Sequence, residues 1–207
     1  REHYRTAADA GDAHGQAEYG RCLLFGIGGS VQSVQGEAML RKAAQGGWPQ
    51  ALKELERYLF ARGEALLHAA EAADDARLFE AVSLLRSSAE LGHRRAAFML
   101  AECLRHGTGA SVDITQAVIW YRKAAAMLDA KLQLGDLFYF GQGVPRNLRE
   151  ALRWYEQAAV THEDPYAMYS FGYCLLHGQG TARDQRAGAH WLRRAALHGE
   201  VDARYEL

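Results

Sequence analysis

Six times in 207 residues the chain sets two small residues side by side at the end of a stretch with helical periodicity: Ala7-Ala8, Ala43-Ala44, Ser88-Ala89, Ala124-Ala125, Ala158-Ala159 and Ala195-Ala196. Five to eight residues after each pair a new amphipathic segment opens, at Gly15, Ala51, Ala96, Ala130, Ala167 and Ala203, and successive openings lie 36, 45, 34, 37 and 36 residues apart. A period of that length is one two-helix hairpin, and such a hairpin buries its apolar side only against its neighbours. A stack of hairpins is therefore the architecture this sequence can build. A composition 49% hydrophobic and 24% charged with only 3 prolines suits it and argues against disorder.

Within the first helix of each hairpin, helix A, the residue four places on is Tyr19, Leu55, Leu100, Leu134 or Phe171, and eight places on it is Leu23, Leu59, Leu104, Phe138 or Leu175. Spacing of four and then eight marks one buried helical face. Between them sit Gly20, Ala101, Gly135 and Gly172. Close approach of a neighbouring helix explains glycine there, despite a cost of roughly 1 kcal/mol inside a helix. Helix A then ends on Gly26-Ile27-Gly28, Gly107-Thr108-Gly109, Gly141-Gln142-Gly143 and Gly178-Gln179-Gly180, where the first glycine can take the left-handed conformation that stops a helix. Helix B follows, with Gly36, Ala117, Ala151 and Gly188 each eight residues past the second glycine. It carries Trp120-Tyr121, Trp154-Tyr155 and Trp191-Leu192, which fill the space between hairpins.

Residues 130–159, with Leu134-Gly135, Tyr139, Gly141-Gln142-Gly143-Val144, Ala151, Trp154-Tyr155 and Ala158-Ala159, resemble a Sel1-like repeat almost position by position, and the pattern covers nearly the whole chain. That family is bacterial in type and related to tetratricopeptide repeats. The resemblance implies an all-α fold: a right-handed α-solenoid of about five helix-turn-helix repeats starting near 15, 51, 96, 130 and 167, with half repeats at 1–11 and 203–207, in one domain over 1–207. It implies a concave face lined by helix A, and a scaffold or adaptor that binds a partner protein or peptide there. An immunity protein that inhibits a cognate secreted toxin is the alternative, and a cell-envelope or peptidoglycan-binding part ranks below it.

In that register, the second, third, sixth, ninth and tenth residues after each helix A opening point into the groove. The expected contacts are Arg21, Arg57, Glu102, Tyr139, Tyr169 and Tyr173, because aromatics and Arg dominate interface centres. Leu24, Phe60 and Leu176 share the register and are expected to pack as core.

The other function classes find little support. Lys plus Arg number 24 against 25 Asp plus Glu, so no excess positive potential collects phosphates and nucleic acid is not an expected partner. No apolar run approaches the roughly 20 residues that span a bilayer, so no transmembrane segment is expected. The compartment stays open between periplasm and cytoplasm, the resemblance leaning towards the periplasm. There is no His-Glu-x-x-His, no Cys-x-x-Cys and no nucleophile elbow, and no enzyme activity, cofactor or metal is expected. The rival reading, a hydrolase acting on cell-wall sugar, would need two carboxylates about 5 to 9 Å apart. Glu102 and Asp136, at equivalent positions of adjacent repeats, are the pair to nominate.

Cys22, Cys103 and Cys174 recur at one packing position two repeats apart, farther than the roughly 7 Å a disulfide allows between α-carbons. Some secreted relatives of this family carry a disulfide inside each repeat. Here those positions hold Ala44 and Ala51, or Ala125 and Ala130. His106 and His177, each preceding a helix-ending glycine, are placed to bond a terminal carbonyl or to face the groove. The second repeat breaks the pattern: it lacks Gly-x-Gly, has Glu56 at the small-residue position and holds about nine extra residues through Glu64 to Asp75. Helix A runs long there or gains a turn, and Glu56 is expected to reach Arg57, Arg62 or solvent, since a buried unpaired carboxylate is costly.

Overall fold

The computed structural model describes residues 1–70 and 76–206, and all of their regular structure is helical. The chain divides into two compact units, residues 1–96 and 97–207. In the first, α1 (Glu2–Asp9) packs on α2 (Ala13–Phe25), α2 on α3 (Ser33–Gln45), α3 on α4 (Gln50–Ala69) and α4 on α5 (Ala76–Glu90). Helix α6 (Arg94–His106) carries the boundary. The second unit continues with α7 (Ile114–Lys123), α8 (Leu128–Phe140), α9 (Leu148–His162), α10 (Pro165–His177), α11 (Gln185–Leu197) and the short α12 (Asp202–Tyr205), each from α7 onward packed on the next. Every helix A begins one or two residues before the predicted opening.

Helix ends follow from local chemistry. Asp12, Asp113, Asn147, Asp164 and Asp184 each accept a hydrogen bond from the backbone N–H three residues on, at 2.6 to 3.1 Å, satisfying one orphan donor per helix. Gly26, Gly141 and Gly178 stop α2, α8 and α10 in the left-handed conformation, as the Gly-x-Gly motif predicts. Arg146 and Arg183 then cover orphan carbonyls: their Nε atoms donate to the Tyr139 and Leu176 carbonyl oxygens, both at 2.9 Å. That is the capping role expected of His106 and His177. Both histidines are exposed, and each pairs with a carboxylate instead, His106 with Glu102 at 3.5 Å and His177 with Glu206 at 3.4 Å.

The predicted face is the core. Leu55, Leu100, Leu134, Leu23 and Leu59 are essentially inaccessible, while Tyr19 and Leu175 are half-buried. Each such leucine stabilises by about 1.5–3 kcal/mol relative to exposure. Tyr121, Tyr155 and Leu192 of the helix B motif are equally buried. A Cβ on Gly135 would lie 2.5 Å from the Tyr155 ring, so α8 and α9 meet as closely as they do only because that residue has no side chain. The three cysteines are free and buried. Burial pushes the Cys103 thiol up to about 11 and that of Cys174 to about 12, and the thiolate is the reactive form. Native protein at pH 8 should therefore leave Cys103 and Cys174 unlabelled by iodoacetamide over times that label them fully in denaturant. Fast native labelling of either would show that its helix face is open.

In the irregular second repeat helix A runs long: α4 has 20 residues against 13 in α2, α6, α8 and α10. Of the extra stretch, residues 71–75 lie outside the described ones. Glu56 corrects the expectation made for it. It is 6% exposed and its carboxylate meets Lys53 Nζ, one helical turn back, at 3.3 Å, rather than Arg57 or Arg62. Its backbone carbonyl accepts from the buried Ser88 hydroxyl at 2.8 Å. The close helix contact has moved to Gly63, where a Cβ would stand 3.1 Å from Leu85 and 3.2 Å from the Ala81 carbonyl oxygen.

Lys131 was not anticipated as core. It is 6% exposed, and among the described residues its ammonium meets no carboxylate, its partners being Thr161 Oγ1 at 2.8 Å and His162 Nε2 at 3.3 Å. Burial holds it below the ordinary lysine value of 10.5. A depressed lysine favours the folded state only once the proton is lost, so stability rises with pH between its folded value and 10.5. Lys131→Met should melt higher than the parent at pH 7, with the gap closing as pH approaches 10.5. A gap that does not change with pH would place the ammonium in water.

Candidate functional site

Five of the six contacts named from the sequence fall into two clefts, one in each unit. In the second unit, the last turn of α8 brings Tyr139 and Phe140 opposite Tyr169, Ser170 and Tyr173 of α10, around a cleft of about 300 Å³. Tyr155, Tyr166 and Glu206 complete its lining. The helical repeat of α10 sets one wall: Tyr169 and Tyr173 are 6.0 Å apart and Tyr173 lies 4.3 Å from the His177 ring, the neighbour spacing of residues four apart. Below them Asp136 accepts from both Tyr155 Oη at 2.7 Å and Tyr166 Oη at 2.9 Å. Burial above all, then the Asp136 charge, pushes the Tyr155 phenol far above its usual value and that of Tyr166 to about 12. Burial raises Tyr139 and Tyr169 as well. The phenols therefore remain protonated donors under any cellular condition.

In the first unit, Arg21 and Arg57 stand over a larger, mostly apolar cleft of about 630 Å³ between α2 and α4, floored by Leu24, Leu40 and Tyr58. Phe25 is 60% exposed at its rim and meets Tyr58 edge-on at 5.6 Å. Arg21 pairs with Glu18 at 3.1 Å and Glu54 at 3.7 Å. Arg57 makes no hydrogen bond or ion pair among the described residues. Leu24 is buried as expected, while Phe60 and Leu176 are half-buried; Phe60 stacks on His93 at 4.1 Å.

Glu102 lies in neither cleft. It is half-buried on α6, accepting from Tyr121 Oη and facing His106. Tyr121–Glu102 and Tyr155–Asp136 are the same contact in consecutive repeats, 19 residues apart in each. The two carboxylates nominated for a hydrolase are thus each held by a phenol of their own hairpin. Among the described residues no group of three or more His, Cys, Asp and Glu could hold a metal ion, and no helix is long and apolar enough to cross a membrane.

Seven lining residues escaped the sequence reading, among them Leu40, Ala61 and Arg62 of the first cleft. Tyr155 and Tyr58 sit at positions read as packing, and Tyr166 precedes the predicted start of its helix. Glu206 could have been found: it stands three residues after Ala203, the groove register of the half repeat.

The Sel1 repeat profile matches residues 13–48, 75–93, 94–127, 128–159 and 165–200. The chain belongs to the Sel1 repeat family. Sel1 repeats are in general a protein-interaction fold without enzymatic activity. Among solved structures, a protective antigen of uropathogenic Escherichia coli with an SLR fold is 25% identical, with a TM-score of 0.63 over 98% of this chain. This chain spans only 42% of that protein. A Sel1 repeat protein from Oxalobacter formigenes is 22% identical, covered over 82% of its length and all of this chain, with a TM-score of 0.61. An immunity protein from Pseudomonas aeruginosa matches 75% of its own length and all of this chain at 15% identity and a TM-score of 0.41, a likeness too distant to carry its binding over. Six residues after each helix A opening the residue changes along the repeats, from Arg21 and Arg57 to Glu102, Asp136 and Tyr173.

Proposed function

We propose that the chain is a scaffold that binds a partner protein or peptide through its helix A faces, with Tyr139, Tyr169 and Tyr173 as the central anchors and Arg21 and Arg57 as a second contact area. The observation that carries this reading is the gathering of the three tyrosines, from two different helices, into one open cleft with their rings half-buried and no side chain of the described residues filling it. Tyrosine and arginine give large contact areas with few rotors to freeze, and truncating such anchors removes most of an interface's energy. Glu102 adds a half-buried carboxylate on the same register.

The test is capture of partners from the native host on immobilised protein, with identification by mass spectrometry. A specific partner should be lost when Tyr139→Ala and Tyr173→Ala are combined, while the melting temperature falls far less than in Tyr155→Ala. Capture unchanged by the pair, or collapse of the fold, would remove these residues as anchors. If the captured protein is a secreted toxin, the same pair should abolish protection of a cell expressing it, which is the immunity role.

A further inference from the structure

We propose that the tyrosine cleft of the second unit recognises an arginine side chain presented by the partner, held between the faces of Tyr169, Tyr173 and Phe140 and the carboxylate of Glu206. This rests on the reading of the cleft as a partner-contact surface and names its chemistry. Charge is the first argument. The only charged residue lining the cleft is Glu206, and a second carboxylate, Asp136, sits directly beneath it. No Lys or Arg lines it, and the one basic side chain on Glu206 is His177 at 3.4 Å, so the site disfavours anions and Glu206 has no permanent cation beside it.

The rings are the second argument. Phe140 stands at 80° to Tyr139 and Tyr166 at 87° to Tyr155, so the cleft presents faces and edges in turn, the walls of a box instead of one stack. A ring face attracts a cation through its quadrupole. Tyr155 and Tyr166 both donate to Asp136, which pushes electron density back into their rings. The Tyr169 phenol is raised by burial first and then by Glu206 and Asp202, a sign that the local field is negative.

The third argument selects arginine. Ring faces of this chain hold cations of both kinds, Arg95 on Phe60, Arg122 on Phe138, Arg146 on Tyr139 and Arg194 on Trp191 at 4.7 to 5.9 Å and Lys123 on Trp120 at 3.9 Å, so the choice rests on the shape of the cation. Among the described residues no Lys or Arg stands over Tyr169, Tyr173 or Phe140, and His177 packs beside Tyr173. A guanidinium is planar and weakly hydrated, so it can lie on a ring while its N–H fork engages a carboxylate. An ammonium satisfies one of these at a time.

N-acetyl-arginine methylamide, titrated into the full chain by NMR, should move the ring resonances of Tyr169 and Tyr173 saturably. Its neutral isostere, the citrulline counterpart, should bind about tenfold more weakly, as loss of a cation–π contact and a charge-assisted bond requires. Glu206→Gln and Tyr173→Leu should each weaken the arginine probe several-fold with circular dichroism unchanged. The position of Glu206 beyond the last turn of α12 makes its variant safe to fold even where Tyr173→Leu is not. Equal binding of the two probes, or binding indifferent to Glu206→Gln, would overturn the arginine chemistry while leaving the partner surface standing. An arginine probe that binds as described while Tyr139→Ala with Tyr173→Ala leaves partner capture intact would overturn the partner's arginine as occupant.

Discussion

Gly180→Ala should be among the most damaging single-methyl substitutions in this chain, lowering the unfolding free energy by about 3 kcal/mol or more from the combined cost of a left-handed alanine and of overpacking. The backbone at Gly180 has φ +78°, and an added Cβ would stand 2.3 Å from the Leu148 carbonyl oxygen, 2.5 Å from its carbon and 2.8 Å from the Arg149 nitrogen. All three atoms are backbone at the start of α9, so no side chain can swing aside. Gly199 is the control in the same unit. It also has positive φ, at +98°, but an added Cβ there meets nothing within 4 Å, so Gly199→Ala should cost only the conformational part, about 1 kcal/mol. Urea unfolding of both variants, followed by circular dichroism, separates strain from collision. Equal losses would show that the turn does not press against α9.

Tyr155→Ala should cost about 3–5 kcal/mol, as expected when a large buried aromatic is removed. The ring is 2% exposed and packs on Gly135, and the hydroxyl is one of two phenols on Asp136. Tyr155→Phe isolates the hydroxyl. It should cost about 1 kcal/mol, the typical net worth of one hydrogen bond, because Tyr166 still serves the carboxylate. The contact with Gly135 predicts coupling. Gly135→Ala should destabilise the parent by about 1–3 kcal/mol through overpacking and do almost nothing in the Tyr155→Ala background. Additive losses in the double variant would mean that the ring is not what excludes a side chain at 135.

The two anchor classes sort by where they sit on the repeat. Tyr155 and Tyr121 are buried on helix B, and each fixes a carboxylate of its own helix A. Tyr169 and Tyr173 lie half-buried on helix A, packed on each other and on His177, and no hydrogen bond joins either hydroxyl to a carboxylate among the described residues. The fold accounts for the first pair, and the second pair is the one the proposed function assigns to a partner.

Much of this was readable before any coordinates. The recurring small pairs, the spacing of four and eight and the Gly-x-Gly stops specified helices, their ends and their buried faces, because hydrophobic period and left-handed glycine are local properties of a chain. The groove register of Arg21, Arg57, Tyr139, Tyr169 and Tyr173 came from the resemblance to tetratricopeptide repeats laid over that period. What the linear pattern left open was decided by tertiary packing. Glu56 found Lys53 on its own helix, Gly63 took over the close contact of the long α4, Lys131 went under Thr161 and His162, and Asp136 gathered two phenols from different helices. Periodicity determines which face of a helix turns inward. Which polar atoms meet there depends on distances across neighbouring helices, and only the folded arrangement sets those.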